Sequence, residues 1–222
     1  MKILYEDNHL IAVWKDAGIL SQGDYSGDKS IMDDVKTYIK EKYNKKGNVF
    51  LGLLHRLDRP VAGIILFAKT SKGASRLSEQ FREHTIVKKY SAIIEGQLEK
   101  KSGSLINFLE KKENKFGGLV AKINSKEGVR AELSYKTILN NKNYSLVEIN
   151  LLTGKFHQIR AQFAEIGHPI VGDIKYGGKK SPILSNEEIA LIANKLEFTT
   201  ATDEKRITIK EPYPEKWKKF FK

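Results

Sequence analysis

The chain has no cysteine in 222 residues. That excludes disulfides, thiolate metal sites and cysteine nucleophiles together, and it suits a reducing cytosolic setting. No run approaches the roughly 18 apolar residues of a membrane span. The N-terminus, MKILYEDNHLIAVWKD, carries Glu6 and Asp7 where a secretory leader has its apolar core. The phosphate, dinucleotide and zinc signatures GxxxxGKS/T, GxGxxG and HExxH are all missing, as are internal repeats and low-complexity segments. The expectation is a soluble, cytoplasmic protein with no membrane partner and no metal. Its length is enough for one large domain or two small ones, with a core that needs no staples, and a single domain, 1–222, is expected.

What is present is positive charge. The formal net charge is +12 and the pI about 9.6. Such a balance suits a polyanionic partner, either nucleic acid or an anionic surface, and it also describes a lysine-rich solvated exterior.

Read in order, ILYED and LIAVWK are two short strands with a turn at Asn8. Ser30 to Tyr43 is a helix, with Ile31, Val35, Ile39 and Tyr43 on one face. A strand at Gly63–Ala68 precedes a helix capped by Thr70 or Ser71 and running to about Glu83, burying Leu77 and Phe81. KKYSAIIE, 88–95, is a strand. The lysine-rich middle, Glu99 to Lys126, with glycines at 103, 117 and 118, reads as paired strands. Arg130–Ile138 and Tyr144–Leu152 form a hairpin across Asn140–Asn143. Phe156–Ile166 is a helix with Phe156, Ile159, Phe163 and Ile166 inward, and 187–194 reads as a short helix. Strands at 196–202 and 207–210 and a final amphipathic turn at 217–221 complete the chain. The fold class is α+β, mostly antiparallel sheet flanked by helices.

The richest stretch is Leu54–Thr70, LHRLDRPVAGIILFAKT. His55, Arg56, Asp58 and Arg59 are packed into five positions ahead of an apolar, β-branched run. The polar half therefore sits at the mouth of a core strand, on a loop that Pro60 stiffens. A rigid element behind and solvent in front is what a catalytic carboxylate needs. An isolated aspartate beside an arginine, however, more often pairs with it and fixes a loop. A second stretch, LLTGKFHQIRAQFAEIGHPIVGDIKYGG (151–178), places His157, Arg160 and Ala164 on the helix face opposite the apolar one. Arg160 could pair with Asp58; standing alone, the stretch reads as a surface helix followed by a tight loop. Tyr90, at a strand start, reads as core by itself.

Together these stretches resemble the RluA-type family of RNA pseudouridine synthases. HRLDRPVAG (55–63), KKYSAIIEG (88–96) and LTGKFHQIRAQFAEIGHPIVGDIKYG (152–177) match its motifs in order and approximate spacing. WKDAGILSQGD resembles the family's opening KPxG segment, and the likeness extends from about Ile3 to Phe221. It implies that Asp58 is the essential aspartate, Tyr90 the tyrosine packing against the target base, and Arg160 the arginine paired with the aspartate. Arg56 is then the residue that holds or replaces a flipped nucleotide, with His55, Leu152, His157 and Gln158 as further substrate contacts. Val61-Ala62 stands where the family often has Thr-Ser, Lys155-Phe156 where it often has Arg-Thr, and Asp16 in place of the opening proline. The family's frequent N-terminal S4 domain is not expected, because the catalytic segment begins at residue 3, and a monomer is expected with it.

The implied reaction breaks the N1–C1′ bond of a uridine, turns the base and joins C5 to C1′. No atom is gained or lost, so no cofactor is expected. The carboxylate can act as nucleophile or as base. A paired base must first be flipped out, at a cost of a few kcal/mol. The expected partner is a structured RNA, a ribosomal or transfer RNA stem-loop. Two other readings use the same residues: a glycosidase or nucleoside hydrolase pairing Asp58 with Asp173, and a non-catalytic RNA-binding or ribosome-assembly protein on this fold.

Overall fold

A computed structural model describes residues 1–114, 118–123 and 127–222. Gly117 and Lys126, which the reading above placed in the lysine-rich middle, fall outside the described residues. Chain order is β1 (Lys2–Glu6), β2 (Leu10–Lys15), α1 (Ile31–Lys42), β3 (Gly52–Leu53), β4 (Ala62–Ala68), α2 (Ser71–Arg82) and β5 (Val87–Glu95). Then come β6 (Ser102–Glu113), β7 (Leu119–Ile123), β8 (Val129–Asn140), β9 (Tyr144–Leu151), α3 (Gln158–Glu165), β10 (Leu191–Thr199) and β11 (Arg206–Lys210). Short 3₁₀ turns lie at Ile174–Tyr176 and Glu215–Phe221. The contacts divide the chain into two compact units: Met1–Val87 with Ala193–Glu211, and Lys88–Ile192 with Pro212–Lys222.

In the first unit β2 pairs antiparallel with both β1 and β4, and β10 with β11. β4 is central because it is apolar on both faces, and six of its seven residues are buried. On one face Leu10, Ile64, Leu66, Leu77, Phe198 and Ile209 form a core under α2. On the other, Ile11, Val13, Ile65 and Phe67 pack on Val35 and Ile39 of α1. Ser30 starts α1 with a full capping box, exchanging bonds with Asp33. Thr70 caps α2 through Gly73 N–H. Gly63 is required in β4. Its φ is +145°, and a Cβ there would meet Ala193 O at 2.5 Å and Ala193 N at 2.6 Å.

The second unit is an antiparallel sheet in the order β5-β9-β8-β6-β7. α3 covers one face of it, with Ala161 packed against Leu109, Ala121 and Ala131. Gln162 Nε2 is held by Leu105 O and Asn107 Oδ1.

Two expectations are corrected. Residues 187–194 are not a helix, and β10 begins at Leu191. Ile189 to Ala193 are all buried in succession; a short amphipathic helix would expose one side of that run, whereas a strand covered on both faces hides all of it. α3 begins at Gln158 rather than Phe156, because His157 adopts the left-handed conformation at φ 51°. Nor is the helix solvated on its polar face: Gln158, Arg160 and Gln162 are as buried as Ile159 and Phe163.

Candidate active site

The Asp58 loop belongs to the first unit, and its support comes from three directions. Behind it, His55 Nε2 accepts the Leu66 N–H of β4 at 3.0 Å, and the ring lies 5.4 Å from that of Phe81. An imidazole nitrogen that accepts a backbone N–H carries no proton. His55 thus ties the start of the motif to the core strand. Within the loop, Val61 N–H closes a turn onto Asp58 O at 3.0 Å. From the side, the segment between β2 and α1 grips the residues on either side of Asp58. The Ser21 hydroxyl donates to Leu57 O at 2.7 Å and accepts Leu57 N–H at 3.0 Å. Arg59 Nε donates to Gly18 O at 2.9 Å, and its Nη1 meets Asp28 at 2.8 Å. Leu57 is buried, Asp58 half-buried and Arg56 exposed. The carboxylate and the motif arginine are thus carried on a fixed backbone.

Beneath the loop lies Lys15, a fully buried lysine at the end of β2. Its ammonium donates to three carbonyls: Asp16 O at 3.0 Å, Ile19 O at 2.8 Å and Arg59 O at 3.2 Å. Burial pulls it down from 10.5 to about 8, while the negative charges of Asp58 and Asp16 work the other way. Lys15 thus lies within electrostatic reach of Asp58. The KPxG-like segment was the sequence signal for it. Ser21 lies in the same segment, but nothing in the sequence tied its hydroxyl to Leu57.

In the second unit Tyr90 lies on β5 opposite Ile149 and is 8% exposed. Arg160 projects from α3 into a bidentate pair with Asp173: Nε to Oδ2 at 2.7 Å and Nη2 to Oδ1 at 2.8 Å, both side chains buried. The Tyr176 ring stacks 5.0 Å from the guanidinium. The hydrolase reading needs Asp173 as a free second carboxylate, whereas the structure pairs it with Arg160. With both oxygens of Asp173 bound to Arg160, that carboxylate is a poor second acid or base for glycoside hydrolysis.

His157 stacks on Phe156 at 3.8 Å, and its Nδ1 lies 2.8 Å from the Tyr176 hydroxyl, which in turn accepts Ala121 N–H at 2.7 Å. The cationic side chain of Lys111 stands 5.1 Å over the Phe156 ring. Gln158 Oε1 accepts from Thr153 Oγ1 and Lys155 N–H, and its buried Nε2 has no hydrogen-bond partner among the described residues. Leu152 is exposed, with its N–H on Glu132 O. Lys88, two residues before Tyr90, is shifted down by burial and by the charge of Lys155.

Comparison with known proteins supplies the family. Residues 9–165 match the family model described as RNA pseudouridylate synthase. The chain is 32% identical over 217 residues to an uncharacterised RNA pseudouridine synthase of Bacillus subtilis, covering 96% of this chain and 69% of that protein. It is 32% identical over 235 residues to tRNA pseudouridine synthase C of Haemophilus ducreyi, covering 100% and 94%. It is 36% identical over 179 residues to ribosomal large subunit pseudouridine synthase C of Rickettsia prowazekii, covering 80% and 57%. Among solved structures, human RNA pseudouridylate synthase domain containing 4 shares the fold at a TM-score of 0.77 and 23% identity, covering 96% of this chain and 89% of that one. A motif loop held on both sides of its aspartate, inside a match that spans 9–165, identifies the chain as a member of the RNA pseudouridylate synthase family.

Proposed function

We propose that this protein converts specific uridines of a structured RNA, ribosomal or transfer, to pseudouridine, and that Asp58 is the carboxylate that acts on the target nucleoside. The observation that carries the reading is the Asp58 loop. Its aspartate is half-buried, its neighbours on both sides are held by hydrogen bonds to the preceding segment, and a buried ammonium lies below it. A carboxylate carried at a fixed place is oriented before the substrate arrives, which serves a nucleophile or a base alike.

In this reading the N1–C1′ bond breaks, the base turns, C5 bonds to C1′ and the C5 proton is lost to solvent, while N1 gains one. Tyr90 packs against the uracil ring, and exposed Arg56 fills the space left by the flipped nucleotide. Arg160, fixed by Asp173, supplies a directed positive charge. The +12 balance holds phosphates of the stem-loop. The names of the relatives support both RNA classes, since one acts on tRNA and another on the large ribosomal subunit.

The test uses ribosomal and transfer RNA transcripts labelled with 5-tritiated uridine, because forming the C5–C1′ bond releases the label. Wild-type protein is expected to release tritium, and Asp58→Ala to release none while binding the same RNA within several-fold. Release by Asp58→Ala would overturn the assignment. A pseudouridine map of cells with and without the gene then identifies the site.

A further inference from the structure

Ser21 lies in a loop, and its hydroxyl does nothing for that loop. Both its hydrogen bonds run 36 residues along the chain, to the peptide groups of Leu57, and the serine is 6% exposed. One hydroxyl has one proton and two lone pairs. Here the proton goes to Leu57 O and a lone pair takes Leu57 N–H. The residue just before Asp58 is thus fixed at both its donor and its acceptor by a single side chain. On the far side of Asp58, Arg59 O accepts Gly18 N–H at 2.8 Å and the Lys15 ammonium, and the Arg59 side chain reaches back to Gly18 and Asp28. Segment 15–28 therefore clamps the chain at 57 and at 59 and leaves 58 between the two grips. The Leu20–Ser30 bridge and the α1 capping box anchor that segment in turn.

We propose that Ser21 is a positioning residue for the reaction: through the Leu57 peptide it sets the direction of the Asp58 carboxylate. This rests on the reading of Asp58 as the catalytic carboxylate. Rotation of the peptide before residue 58 would swing the carboxylate while leaving the surface that meets RNA largely in place. Loss of the hydroxyl should therefore appear in the rate of the chemical step and not in RNA affinity.

The experiment compares wild type, Ser21→Ala and Ser21→Thr by single-turnover tritium release and by RNA binding, at a temperature where circular dichroism shows all three folded. Hydrogen exchange at the Leu57 amide is read in parallel. A misplacement of the order of 1 Å costs about 100-fold in rate, so Ser21→Ala is expected to slow the single-turnover step about 10- to 100-fold, with Kd within about threefold. Leu57 exchange should accelerate about tenfold or more in Ser21→Ala, and Ser21→Thr, which keeps the hydroxyl, should return both readouts toward wild type. An unchanged rate in Ser21→Ala, a loss confined to Kd, or Leu57 exchange unaltered by the alanine would each overturn the proposal. Failure of the underlying reading is a different result: wild type releases no tritium, or Asp58→Ala still does.

Discussion

Asp173→Asn removes one negative charge from the centre of the second unit and keeps the side chain's shape. Asp173 is 1% exposed and its partner Arg160 6%. The guanidinium cannot give up its proton, so it stays charged after losing the Asp173 carboxylate. The asparagine offers one acceptor where two guanidinium N–H groups need one each, and it turns an NH₂ toward the other. Two unit charges about 4 Å apart at an effective dielectric near 20 are worth about 4 kcal/mol. Breaking one side of a buried pair costs about 3–5 kcal/mol by mutational experience. For a chain of this size that corresponds to a fall in Tm of about 6–20 °C. The assay is a thermal melt followed by far-UV circular dichroism, with the Arg160→Met, Asp173→Leu double variant alongside. The double variant removes the guanidinium together with its Asp173 partner and should melt above Asp173→Asn. If Asp173→Asn melted within about 2 °C of wild type, a small fraction of the shift expected from that cost, the pair would not be the buried ion pair described above.

Three further outcomes are expected. Gly63→Ala places a methyl against the backbone of Ala193 in a backbone conformation that disfavours a side chain; overpacking and strain together should cost roughly 2–5 kcal/mol, and a denaturant midpoint equal to wild type would refute the close approach. Lys15 holds its proton to about 8 in the folded chain and to 10.5 when unfolded. Between those values the unfolded state binds more protons, so this group makes stability rise with pH, by roughly 1.5 kcal/mol from pH 8 to 9.5. Urea melts should show that rise in wild type and lack it in Lys15→Met; an equal pH response in both would contradict the burial argument. RNA affinity should fall steeply with salt, log Kd rising linearly with log of the salt concentration because phosphate contacts release counter-ions; a flat plot would remove phosphate binding as the use of the +12 charge.

Periodicity alone determined much of this protein. Ile31, Val35 and Ile39 recur every four residues and can be buried only as a helix face. Ala62–Ala68 is too short for a core helix and too apolar for an exposed strand, which makes it a central strand. Local chemistry determined the cap at Thr70 and the hairpin turn at Asn140–Asn143. The three motifs were legible in the sequence because their residue types and order are specific. Tertiary structure decided which partner each motif side chain takes, since pairing between residues distant in sequence leaves no periodic trace. Arg160 finds Asp173, 13 positions on, because α3 and the following loop bring them together in the interior. His55, a substrate contact by its motif, is bound to the N–H of Leu66. Residues 189–193 form no helix because burial on every side outweighs local propensity. The same holds for the loop on which everything turns. The sequence placed Asp58 at the mouth of a strand beside Arg59, and only the fold brought Lys15 and Ser21 to that loop. The reason is that hydrogen bonds spanning 36 to 44 residues exist only once the chain has closed on itself.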